Sequence, residues 1–94
     1  MIPNKYLQTI KDVLRTHTNR NARFFIFGSA VNKEHFGDVD IGADGAITDA
    51  DIARLKEAFT ASRLPYVVDV ININKVSEIF KKNIFNNSII WIQR

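Results

Sequence analysis

The chain has 94 residues, no cysteine, an apolar share of 46% and a formal net charge of +3. These figures exclude a disulfide framework and any thiolate metal site, and the apolar content is that of a packed globular chain rather than a disordered one. No apolar run reaches the roughly 18 residues a membrane span needs. The opening Met1-Ile2-Pro3-Asn4-Lys5 lacks a signal-peptide core, so one soluble, cytoplasmic domain over residues 1–94 is expected. The basic excess suits phosphate-bearing ligands. Its Lys and Arg residues are scattered, with Lys81-Lys82 the longest run, so no basic stripe points to nucleic acid as a partner.

In chain order, Tyr6, Leu7, Ile10, Val13 and Leu14 follow helical spacing. Arg23 to Phe27 is an apolar, aromatic run closed by Gly28, the pattern of a buried strand. Asp38 to Ala43 alternates and predicts a second strand. Thr48-Asp49-Ala50-Asp51 has the composition of a helix N-cap with carboxylates in the first turn; the helix that follows buries Ile52, Leu55, Ala58 and Phe59. Tyr66 to Ile73 is a β-branched third strand, followed by a helix over about Val76 to Phe85 and a short strand within Ser88 to Ile92. This order predicts an α/β (α+β) layered fold, a small mixed sheet of three to four strands flanked by helices.

Polar groups interrupt the apolar strands at three places. Asp38 and Asp40 are two apart on one strand, so they share a face with Cα atoms roughly 6–7 Å apart, while Val39 and Ile41 point into the core. Paired carboxylates repel and require a positive charge between them; an all-oxygen donor set favours a hard cation, typically magnesium when phosphates share it. Asp69 lies within Val67-Val68-Asp69-Val70-Ile71. Taken alone it fits an exposed sheet face or a lysine pair; beside a D-x-D strand it fits a third member of one site. Gly28-Ser29 ends the first strand, where backbone N–H groups and a hydroxyl can approach phosphate.

The ordered set FIFGSAVNKEHFGDVDIG followed by YVVDVI resembles the nucleotidyltransferase superfamily that includes DNA polymerase beta. In size it resembles the minimal nucleotidyltransferases often found as antitoxin partners of HEPN-type toxins. The resemblance implies a nucleotidyltransferase fold and transfer of a nucleoside monophosphate from an NTP, ATP first among them, to a hydroxyl acceptor with two Mg2+ ions. It implies that Asp38 and Asp40 bind both metals, that Asp69 completes the site at the attacking hydroxyl, and that Gly28 and Ser29 hold the β- and γ-phosphates. The segment after Gly-Ser departs from the family's arginine-rich pattern, reading Ala30-Val31-Asn32, and leaves Lys33 as the cation for the phosphates. The implied acceptor is a side chain of a HEPN-type toxin; the alternative is a binding module that neutralises its partner by contact alone.

His17 and His35 have no spaced ligand partner and are expected at the surface. Asp44, Asp49 and Asp51 are expected in turn and capping roles. Ile84 and Phe85 are expected to complete the core, and Trp91 with its isoleucine neighbours to form an apolar patch open to a partner.

Overall fold

The computed structural model describes residues 2–93. In chain order it contains α1 (Asn4–His17), β1 (Ala22–Phe27), α2 (Ser29–Asn32), β2 (Asp38–Gly45), α3 (Asp49–Ala61), β3 (Val67–Asn72), α4 (Glu78–Asn86) and β4 (Ile90–Ile92). The strands form one mixed sheet in the order β3-β2-β1-β4. β1 is antiparallel to β2 and to β4, whereas β2 and β3 run parallel through the α3 crossover.

Strand alternation sends two sets of side chains to opposite faces. Phe24, Ile26, Val39, Ile41, Ala43 and Val70 pack against Ile10 and Leu14 of α1 and Leu55 and Phe59 of α3. On the other face Phe25 meets Ile73 and Ile84, so α4 covers that side. The α3 start is a full capping box: Thr48 Oγ1 accepts from the Asp51 N–H (3.1 Å), and the Asp51 carboxylate accepts from the Thr48 N–H (3.0 Å). These bonds and Arg54 hold the Asp51 carboxyl below its ordinary range, the backbone bond contributing most. Among the described residues no helix is long and apolar enough to cross a membrane.

Three expectations are corrected. Asp44 is not a turn residue: β2 runs on to Gly45, and the Asp44 carboxylate pairs with Arg23 directly opposite on β1, at 2.7 Å. Phe85 does not complete the core beside Ile84. It is 40% exposed, because α4 turns Ile84 toward the sheet and leaves the next residue to lean its ring on Phe25 from outside, 5.2 Å between centroids. Trp91 is 42% exposed, edge-on to Phe25 and beneath the Arg23 guanidinium, but its neighbour Ile92 is buried in the core and is no part of an open patch, because its side chain falls on the α1 and α3 side of the sheet. His17 and His35 are exposed, as expected.

Gly42 is where the sheet accepts the Phe25 ring: a Cβ there would lie 2.2 Å from Phe25 Cζ. Since Phe25 is fully buried, the ring has little room to yield. Gly42→Ala is expected to cost about 1–3 kcal/mol by overpacking, read as a lower urea midpoint with an unchanged m-value.

Candidate active site

β1 leaves the core at Phe27, and the chain turns at Gly28, whose φ of 78° and ψ of −150° are open to glycine and closed to other residues. The Gly28 carbonyl accepts from the Val31 and Asn32 N–H groups, so the short α2 closes directly on the turn. A Cβ on Gly28 would sit 2.7 Å from Asp40 Oδ2. The Gly-Ser turn and the D-x-D strand are therefore in contact, with the missing side chain making room for the carboxylate.

The register assembles the rest. Phe27 pairs with Asp40, and Asp40 with Asp69 on β3, while Asp38 lies opposite Val67. Val39 and Ile41 are fully buried on the far face, which commits Asp38 and Asp40 to the near one. The Asp40 carboxyl is half-buried and raised above its ordinary range, first by burial and then by the charges of Asp69 and Asp38. The loop entering β2 is pinned by aromatic contacts: Phe36 stacks on Tyr66 at 5.0 Å, and Tyr66 meets Tyr6 edge-on at 5.6 Å. The Val67 N–H donates to the Gly37 carbonyl, fixing the entries of β2 and β3 together.

Asp69 is exposed, and both of its contacts fall on one oxygen. Oδ1 accepts from the Val70 N–H at 3.0 Å and lies 3.5 Å from Lys56 Nζ. Lys56 belongs to α3, across the sheet, and reaches Asp69 around the open edge of β3. An exposed pair of this kind is worth less than about 1 kcal/mol, so Lys56→Met is expected to leave stability nearly unchanged. Its expected effect is tighter Mn2+ binding, because a cation beside the carboxylates opposes a divalent ion; calorimetric titration reads this. Weaker Mn2+ binding in the variant would show instead that Lys56 orients Asp69.

Beside the carboxylates lies a cleft of about 450 Å3 between α2 and α4. Gly28, Ser29, Asn32 and Lys33 line one wall, and Phe80, Asn83, Ile84 and Asn87 the other. Every residue expected to meet phosphate is thus on one wall. Phe80, Asn83 and Lys56 were not legible as site residues; the only local signal was Phe80 and Asn83 at i, i+3 on one helix face. A larger hollow, about 640 Å3, lies at the opposite end of the sheet beside Arg15, Thr18, Asn19 and Arg20. It touches neither the glycine turn nor the aspartates.

Magnesium is the metal the sequence resemblance implies. Carboxylate oxygens are the donors it takes, and Asp40, held among two other negative charges, fits a position that a cation would relieve. Among the described residues no group of three His, Cys, Asp or Glu side chains is drawn together closely enough to hold a metal ion; Asp69 is engaged with Lys56 and Asp38 stands exposed at the strand entry. Such an open set fits an ion that draws part of its coordination shell from water and substrate oxygens.

A sequence model of the family Polymerase beta, Nucleotidyltransferase matches residues 8–94. The chain belongs to this nucleotidyltransferase family. Among curated proteins no sequence match is found. Among solved structures, this nucleotidyltransferase chain is similar to a complex of tri-AMPylated HEPN toxin with MNT antitoxin from Shewanella oneidensis. The TM-score is 0.70 and the identity 19%, over 93% of this chain and 68% of that one. A mutant of the toxin–antitoxin MntA–HpeT matches with a TM-score of 0.63 and 20% identity, and a toxin–antitoxin with AMP-PNP with 0.61 and 22%. Each of these two matches covers 79% of this chain and 62% of the solved one, less than two thirds of its length. At these identities the likeness concerns the fold, a mixed sheet flanked by helices.

Proposed function

We propose that this nucleotidyltransferase domain transfers a nucleoside monophosphate, AMP first among them, from a magnesium-bound triphosphate to a hydroxyl side chain of a HEPN-type toxin, and so acts as its antitoxin in the cytoplasm. The observation that carries this reading is the contact of the Gly28 turn with Asp40, which joins a phosphate-approaching backbone to a carboxylate cluster. The AMPylated toxin and the AMP-PNP complex among the similar structures support the choice of acceptor and nucleotide.

In this reading Gly28 and Ser29 hold the β- and γ-phosphates through backbone N–H and hydroxyl, and Lys33, on the same wall of the cleft, adds positive charge. Asp38, Asp40 and Asp69 hold the metal. When bound, magnesium supplies charge neutralisation at the attacking and leaving oxygens of an in-line displacement. The acceptor oxygen bonds to the α-phosphorus, the bond from that phosphorus to the bridging oxygen breaks, and pyrophosphate departs. The acceptor proton passes to Asp69 Oδ2, which has no partner among the described residues, or to water. Asp69→Asn is therefore expected to lower transfer far more than ATP binding, since it removes an interaction made chiefly in the transition state. Equal losses would place Asp69 in nucleotide binding or in the fold.

The test of the whole reading is co-expression with the adjacent gene's product, co-purification, and intact mass of the partner. A gain of one or more nucleoside monophosphate units supports it. A stable complex whose partner keeps its mass under saturating ATP and magnesium turns the assignment to a binding module, and no complex with that product removes the antitoxin role.

A further inference from the structure

We propose that the α4 wall of the cleft is an adenine-selective nucleobase site, with Phe80 as its stacking platform and Asn83 as the reader of the base edge; this rests on the nucleotide reading above. The cleft's volume, about 450 Å3, falls in the range of small-ligand sites. Its two walls differ in charge. Among the described residues the only charged one lining it is Lys33, on the Gly28-Ser29 side, while the α4 side is neutral. A nucleotide entering with its phosphates toward Lys33 therefore lays its base against α4.

The α4 side chains suit a base. Phe80 is 45% exposed although it is a large aromatic residue, and its backbone is held by the N-cap, the Phe80 N–H donating to Ser77 Oγ at 3.1 Å. An open phenyl ring on an anchored backbone is a platform on which bases stack, without choosing among them. Choice comes from Asn83, one turn further on. Its side-chain amide has no partner among the described residues, whereas the neighbouring Asn87 spends its N–H on the Asn83 carbonyl, at 2.7 Å. An amide offers one donor and one acceptor side by side. Adenine presents the complement, an exocyclic amino donor beside the N7 acceptor, while guanine presents two acceptors on the same edge.

The experiment is calorimetric titration of the wild type, Phe80→Ala and Asn83→Ala with inorganic tripolyphosphate, ATP and GTP, each with magnesium. The wild type is expected to bind ATP about tenfold or more tightly than tripolyphosphate or GTP. Phe80→Ala is expected to weaken ATP about tenfold, and Asn83→Ala to erase the preference for ATP over GTP. Both should bind tripolyphosphate as the wild type does, which also reports that they are folded. Tripolyphosphate binding with no preference for ATP, or variants that keep that preference, overturns the base site and leaves the phosphate reading standing. Loss of tripolyphosphate binding in either variant would assign these residues to the phosphate seat or the fold and overturn it as well. A wild type that binds no triphosphate at all removes both readings.

Discussion

Replacing Gly28 with alanine is expected to abolish triphosphate binding and to destabilise the fold by about 1–3 kcal/mol. Two independent causes act on the same atom. The backbone at φ 78° and ψ −150° lies in a region that residues with a Cβ scarcely enter. The added carbon would also stand 2.7 Å from Asp40 Oδ2, so either the turn opens or the carboxylate swings aside. Opening the turn disturbs α2, whose first bonds end on the Gly28 carbonyl; moving Asp40 dismantles the acidic cluster. In a domain of this size each kcal/mol corresponds to a fall in Tm of about 4–8 °C. Thermal unfolding with and without ATP and magnesium measures both effects. Ser29→Ala is the control, because it removes a hydroxyl and leaves the backbone free to bind, and it should retain part of the ligand response. A Gly28→Ala protein that melts at the wild-type temperature and still responds to ATP would contradict the contact as the centre of the site.

The double substitution Asp38→Asn with Asp40→Asn is expected to have opposite effects on the free and the liganded protein. A ligand present at about 100 times its Kd stabilises the native state by about 2.7 kcal/mol, and this increment should vanish when the carboxylates become amides. Without ligand the variant should melt higher than the wild type at neutral pH. Burial, Asp69 and Asp38 raise the folded-state pKa of Asp40. The native state thus holds that proton more tightly than the unfolded chain does. The resulting stabilisation is complete below the unfolded value and is lost as pH rises through the raised, folded one. Above that window the ionised Asp40 weighs against folding, and the amide relieves it. The advantage of the variant should accordingly shrink as pH falls into and below the carboxylate range. Melting curves over pH, with and without ATP and magnesium, test both halves; an unchanged ligand shift in the variant would remove the metal assignment.

Much of this arrangement was legible from local signals. Alternation placed Val39 and Ile41 in the core and Asp38 and Asp40 together on the other face, because a strand offers only two directions for a side chain. The Thr48 cap, the β-branched third strand and the short turn of helix after Gly28 followed from the same short-range chemistry, with boundaries displaced by one or two residues. The meeting of these pieces was expected from their order in the chain and the family resemblance, not from local signals. Asp69 reaches Asp40 only because β3 adds in parallel beside β2 in one particular register, and a register depends on contacts spread across both faces of the sheet. Gly28 read as a turn residue, but its contact with Asp40 exists only once β1 and β2 have paired. Asp44 looked like a turn residue because its partner, Arg23, is 21 positions away in the chain, and Phe85 looked like core because an apolar residue does not reveal which side of a helix a sheet will cover. The cleft wall of Phe80 and Asn83 came from the docking of α4 through Ile84 onto Phe25. Residue types and spacings carry the chemistry each segment can offer; long-range packing sets which groups stand near enough to act together.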